Sequence, residues 1–218
     1  MTTARSLFMK FSAAALVALG LAGCSRQGDF DETGGIIAVR SSCPVAAIPA
    51  MTGDVTLFNP QGSTDASAID VVANITNLRS TCSESGGQFY TEATFDVQAR
   101  RTDASAAREV VLPYFSAVVR SGNAVIAKRV GQVRVAFAPG EYRASASARA
   151  GSYVDRAAAT LPAEVERKIR ERRKAGDTDA ATDPFSLPEV KAALQSTSFE
   201  LLVGFNLAQD QFKYNATR

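Results

Sequence analysis

"FYTEATFDVQARR", Phe89 to Arg101, alternates without a break: Phe89, Thr91, Ala93, Phe95 and Val97 fall on one side, and Glu92, Asp96, Gln98 and Arg100 on the other. Successive side chains of an extended chain point to opposite faces, so a period of two predicts a strand with one buried and one solvated face. The same period starts near Ile36 and persists for more than a hundred residues, with turn residues at the breaks.

In "AIDVVANITNL", Ile69, Val71, Ala73 and Ile75 alternate with Asp70, Asn74 and Thr76. Between this strand and the Phe89 strand, "RSTCSESGG" reads as a polar loop carrying Cys82 beside the strand end. "VVLPYFSAVVR" and "AVIAK" flank Ser121-Gly122-Asn123, which predicts a hairpin with Gly122 and Asn123 as the residues suited to positive φ. Pro113 predicts an edge strand, or a bulge near that point, because proline donates no ladder hydrogen bond. "VRVAF" reads as a further strand with Val133, Val135 and Phe137 inward, followed by a turn at Pro139-Gly140. "EYRASASARA" then sets Tyr142, Ala144, Ala146 and Ala148 against Arg143, Ser145, Ser147 and Arg149, its small inward residues suited to a close second layer.

After Gly151 the period changes. "LPAEVERKIRERRKAG" places Leu161, Val165 and Ile169 four apart, with Pro162 at the start and Gly176 at the stop, so a helix with one narrow apolar stripe is expected. Ser186 and Glu189 have capping-box spacing ahead of a second short helix in which Val190 and Leu194 share a face. "SFELLVGFNL" returns to alternation through Phe199, Leu201, Val203, Phe205 and Leu207, and the tail predicts a terminal helical turn pinned by Phe212 and Tyr214. About eight short strands with regular turns predict a mainly β domain, an immunoglobulin- or fibronectin-like antiparallel sandwich. The two helices form an insertion at about 160–196, before the last strand. A small closed barrel is the alternative.

The first two dozen residues carry a different signal. Arg5 and Lys10 are the only charges before Cys24, and a short apolar run from Phe11 to Leu21 follows them. That run is about half the length needed to cross a bilayer as a helix, so residues 1–23 read as a secretory signal. Leu21-Ala22-Gly23-Cys24 resembles the lipobox of bacterial lipoprotein precursors, and the general style, rich in Ala and Arg, resembles uncharacterised envelope lipoproteins of alphaproteobacteria. The resemblance implies cleavage before Cys24, a diacylglyceryl group on its thiol and a fatty acyl chain such as palmitate on its amine. Several acyl chains suffice for stable anchoring. Ser25 stands where inner-membrane retention favours Asp, which points to the outer membrane, facing the periplasm. Residues 24–35 then form a lipidated polar tether, and 36–218 the folded domain.

Removing the signal leaves 22 basic and 22 acidic residues, so the remaining chain is formally neutral and has no basic surplus to recruit nucleic acid. With Cys24 lipidated, Cys43 and Cys82 remain as a pair in an oxidising compartment and are expected to form a disulfide. The absence of histidine excludes Ser-His-Asp, Cys-His and HExxH chemistry. Glu92, Asp96 and Glu109 sit at outward strand positions, where acids serve solubility. No catalytic, metal or cofactor motif is present. The basic run Arg167, Lys168, Arg170, Arg172, Arg173 and Lys174 has two readings: contact with anionic headgroups or an acidic partner, or a solvated helix face with Glu164–Lys168 and Glu166–Arg170 pairs. The expected function is a non-enzymatic envelope module that contacts other envelope proteins. The alternative is a small-molecule or glycan binder with a pocket between the helices and the sheet.

The lipid reading predicts that the chain pellets with membranes through high salt, and that mass spectrometry finds an acylated N-terminus at Cys24. Cys24→Ser is expected to accumulate as uncleaved precursor. A bare N-terminus, or one beginning elsewhere, contradicts it.

Overall fold

The computed structural model describes residues 42–171, 176, 178 and 181–218. Cys24, the expected signal and tether, and the expected onset of the period at Ile36 therefore lie outside the described residues, as do Arg172, Arg173 and Lys174. Eight strands make two four-stranded sheets: β1 (Val45–Ala47), β8 (Phe199–Phe205), β5 (Arg108–Arg120) and β6 (Ala124–Phe137) in that order, and β2 (Asp54–Phe58), β3 (Ile69–Ser85), β4 (Gln88–Arg101) and β7 (Arg143–Asp155) in that order. All pairings are antiparallel except β1 with β8. β6 and β7 share no ladder, so the architecture is an open sandwich and not a closed barrel.

The Phe89 strand is the spine of its sheet. Phe89, Thr91, Ala93, Phe95, Val97, Ala99 and Arg101 are all buried, and β4 is in register with β7 from Gln88↔Asp155 to Arg100↔Arg143. Phe95 meets Tyr114 of the opposite sheet edge-on at 5.2 Å between ring centres. Each fully buried aromatic or aliphatic side chain of this kind contributes roughly 2–3 kcal/mol.

Several elements differ from the expectations. "RSTCSES" is strand, not loop: Arg79–Ser85 pair with β4, and the hairpin closes at Gly86-Gly87, both with positive φ. This stretch lacks apolar alternation because β2 stops opposite Asn74, which leaves Arg79–Ser85 an exposed local edge. A bulge between Thr76 and Arg79, with Asn77 at φ 52°, separates it from the buried half. "AVIAK" and "VRVAF" belong to one strand, β6, and in the turn before it the positive φ values fall on Ser121 and Gly122, not Asn123. Tyr142 is exposed, whereas Ala144, Ala146 and Ala148 pack against the core.

β5 is an inner strand of its sheet, yet β8 stops opposite Tyr114, so Arg108–Pro113 is locally an edge. The Pro113 carbonyl accepts from the Asn206 N–H at 2.9 Å, so the proline nitrogen faces the side where β8 has ended and disturbs no bond to β6.

The helical insertion opens with a single turn, α1 (Arg156–Ala159), continues with α2 (Ala163–Arg170) and ends with α3 (Pro188–Ser196). α2 stops at Arg170, short of the expected Gly176, because Glu171 is already extended. The predicted capping box is not formed: the Ser186 hydroxyl donates to the Asp183 carbonyl, and Glu189 reaches Lys168 instead. Val165 and Val190 are buried apart from the main core cluster. The C-terminal helix, α4 (Gln209–Thr217), lies against β2, with Tyr214 edge-on to Phe58 and the Asn215 amide donating to the carbonyls of Met51 and Asp54. Phe212 is exposed, so Tyr214 alone of the predicted pair pins the tail.

The Cys43–Cys82 disulfide joins the segment before β1 to β3, one sheet to the other. Closing a loop with a sequence separation of 39 stabilises by about 4 kcal/mol in the chain-entropy picture. At the far end of the core, Arg101 is 3% exposed and its guanidinium donates to the carbonyls of Glu141, Ala106, Ala104 and Ala138, with the Phe137 ring 4.9 Å away. No carboxylate is in ion-pair contact with it among the described residues. The guanidinium satisfies backbone acceptors of two loops that cross at the mouth of the sandwich.

Arg101→Met, which keeps the length of the stem and removes the donors, is expected to lower the unfolding free energy by about 3 kcal/mol. Urea unfolding followed by circular dichroism measures it. A loss below about 1 kcal/mol would show that water replaces the guanidinium at those carbonyls.

Candidate functional site

The β5–β6 hairpin outruns the core. Over Val133–Phe137 the inward side chains of β6 are buried, but from Ala124 to Val130 every residue is exposed. Val125 is 62% exposed, Ile126 53% and Val130 58%. A bulge at Ile126 marks where β6 slips register against Val118/Val119. Beyond that end of the sheet the strand carries apolar side chains that no layer covers among the described residues.

Backbone geometry adds to this. Because the Pro113 carbonyl faces the β8 side, odd-numbered residues of β5 face β8 and even-numbered ones face β6. In the observed register Leu112↔Val133, Tyr114↔Gly131, Ser116↔Arg129 and Val118↔Ala127 are then the hydrogen-bonded pairs. Lys128, Val130 and Gln132 turn their N–H and C=O groups outward. β5 is the one ladder partner of β6 among the described residues.

Local contacts tie the base of the hairpin to the sandwich. The Tyr114 side chain passes beneath β6 to donate its hydroxyl to the Arg149 carbonyl on β7 at 2.8 Å. A Cβ at Gly131 would lie 2.6 Å from the Tyr114 ring, so only glycine fits there. Lys128 stands 5.2 Å from the Phe115 ring centre, and Arg134 pairs with Glu109 at 2.8 Å. The free edge is basic, with Lys128 and Arg129 adjacent on it.

The basic helix is engaged with its own neighbours. Arg170 pairs with Glu166 at 2.7 Å, as the spacing predicts, but Lys168 pairs with Glu189 of α3 at 2.9 Å and not with Glu164. The Lys168 ammonium holds the Glu189 carboxyl below the usual carboxylate range. Arg167 is exposed. Of the three described bases in this run, Lys168 thus ties α2 to α3, Arg170 pairs within α2, and Arg167 stays exposed.

The three outward acids, Glu92, Asp96 and Glu109, each have a partner of their own. Glu109 is taken by Arg134, Glu92 accepts from the Tyr90 hydroxyl at 3.2 Å, and Asp96 accepts from Ser147 at 2.7 Å and Asn77 at 2.8 Å. The hydrogen bond from Ser147, then that from Asn77, lowers the pKa of Asp96. Desolvation, followed by the bond to Glu92, raises that of Tyr90. Among the described residues no three Cys, Asp or Glu side chains come together as a metal site. A concavity of about 520 Å³ lies on the outer face of the β2–β3–β4–β7 sheet, floored by β3, β4 and β7. It is remote in sequence from the helical insertion that the alternative reading invoked.

Compared with protein-family models, curated proteins and solved structures, the chain matches none. The site therefore rests on its geometry. The sequence carried no distinct signal for the exposed edge: Val125-Ile126 breaks the alternation, but so does Val118-Val119 on β5, and both of those are buried.

Proposed function

We propose that the chain is a lipid-anchored lipoprotein of the bacterial envelope, held at the outer membrane through Cys24, that works without catalysis as a docking module for another envelope protein. The observation that carries the docking reading is the uncovered edge of β6 over Ala124–Gln132, with outward backbone groups and exposed Val125, Ile126 and Val130. An edge of this kind accepts an added strand: main-chain hydrogen bonds supply affinity, and side chains at alternate positions supply selectivity.

The occupant that fits is an extended acidic segment of a partner protein. Two copies of β6 meeting antiparallel about Lys128-Arg129 would set these cations against one another, and like charges directly opposite are unfavourable. An acidic strand meets them with opposite charge. The tether from Cys24 keeps the module within reach of membrane-bound partners, and the chain without residues 1–23, formally neutral, gives no support to nucleic-acid binding.

A photo-crosslinking residue at position 128, introduced in the native cell, is expected to trap one defined adduct, and the same residue at position 167 is expected to trap none. Val130→Pro removes an outward N–H while leaving the β5 ladder, and Ile126→Asp removes apolar contact. Each is expected to abolish the adduct with little change in Tm. No adduct at 128, or one that survives both substitutions, overturns the docking reading.

A further inference from the structure

The outer face of the β2–β3–β4–β7 sheet is ordered by register into rows. Val72, Arg100 and Arg143 lie side by side across β3, β4 and β7, and Asn74, Gln98 and Ser145 form the next row. These residues line the 520 Å³ concavity. Its floor is the outer surface of three strands, and α4 rises over β2 beside it.

The upper row is electrostatically unbalanced. Arg100 and Arg143 are direct cross-strand partners, both exposed, and neither has an ion pair among the described residues. Facing like charges destabilise a sheet, so the arrangement costs stability unless something answers it. The nearby acids are already committed: Asp70 to Arg108 through a two-pronged bond of 2.7 and 2.6 Å, Asp54 to Arg218, and Asp96 to Ser147 and Asn77. Among the described residues no carboxylate forms an ion pair with either arginine.

The row below has the complementary chemistry. Asn74 and Gln98 each carry an amide that both donates and accepts, and Ser145 adds a hydroxyl. Hydrogen-bonding side chains of this kind match hydroxyl groups, while paired guanidinium forks match the planar oxygens of a carboxylate or the oxygens of a phosphate.

We propose that this concavity is a binding site for a hydroxylated ring bearing an oxyanion, as in a sugar acid or a sugar phosphate. The oxyanion sits between Arg100 and Arg143, and the ring hydroxyls lie along Asn74, Gln98 and Ser145. The site lies on the opposite sheet from β6, so its success or failure is independent of strand docking.

Calorimetric titration of the full chain in neutral detergent tests it with glucuronate, glucose 6-phosphate, glucose and inorganic phosphate. One of the two sugar anions at least is expected to bind in the millimolar range or tighter, and comparison of the two tells carboxylate from phosphate. Glucose and inorganic phosphate are each expected to bind about tenfold more weakly, since each offers half of the recognised chemistry. Arg100→Ser and Arg143→Ser are each expected to abolish sugar-anion binding and to raise the Tm of the unliganded chain by relieving the repulsion. Gln98→Ala is expected to weaken sugar anions while leaving phosphate unchanged. Binding of phosphate as tight as that of the sugar anions marks an adventitious anion site only and overturns the proposal. So does titration without heat or Tm shift, binding that survives both arginine substitutions, or a fall in Tm in both arginine variants.

Discussion

The register of β4 between β3 and β7 is the constraint on which the rest of the structure depends. A strand with side-chain period two admits one register for a buried face, because a slip of one residue turns Phe95 to solvent and brings Arg100 into the core. With the register held, the inner face of β4 closes against β5, β6 and β8, and the outer face falls into rows that set Arg100 beside Arg143 and Gln98 beside Asn74 and Ser145. Core and surface chemistry are thus two consequences of one alternation.

The sandwich is closed unevenly. At one margin the Cys43–Cys82 bridge joins the sheets, and α4 covers β2 through Tyr214 and Asn215. At the mouth, Arg101 gathers the carbonyls of two loops. At the β6 margin Tyr114 ties β5 to β7 beneath Gly131, and past that tie the hairpin projects with its apolar side chains uncovered. Proteins usually blunt such an edge with charge or a bulge, and β6 has both, in Lys128, Arg129 and the irregularity at Ile126. Those devices disfavour pairing with an identical strand and leave pairing with an acidic one open.

Much of this was legible from residue order alone. The alternating faces of β3, β4, β7 and β8, the helices before β8 and the pairing of Cys43 with Cys82 follow from periodicity and from cysteine number. What escaped has physical reasons. Arg79–Ser85 is exposed on both faces, so it has no apolar period to betray a strand. Arg101 has the parity of a core residue but the chemistry of a surface one, and only the convergence of distant loop carbonyls explains its burial. The helix capping expected at Ser186 loses to a tertiary partner, since Lys168 claims Glu189. The facing of Arg100 and Arg143 depends on residues far apart in sequence, which the register alone brings together.

Residue-resolved amide hydrogen exchange of the full chain in detergent tests the central claim most directly. The amides of β4 are expected to exchange at the slow limit throughout, while β6 shows alternating protection, slow at Ala127, Arg129 and Gly131 and fast at Lys128, Val130 and Gln132. Uniform slow exchange along β6 would mean that its edge is already covered, and fast exchange at alternate residues of β4 would mean that the spine is paired on one side only.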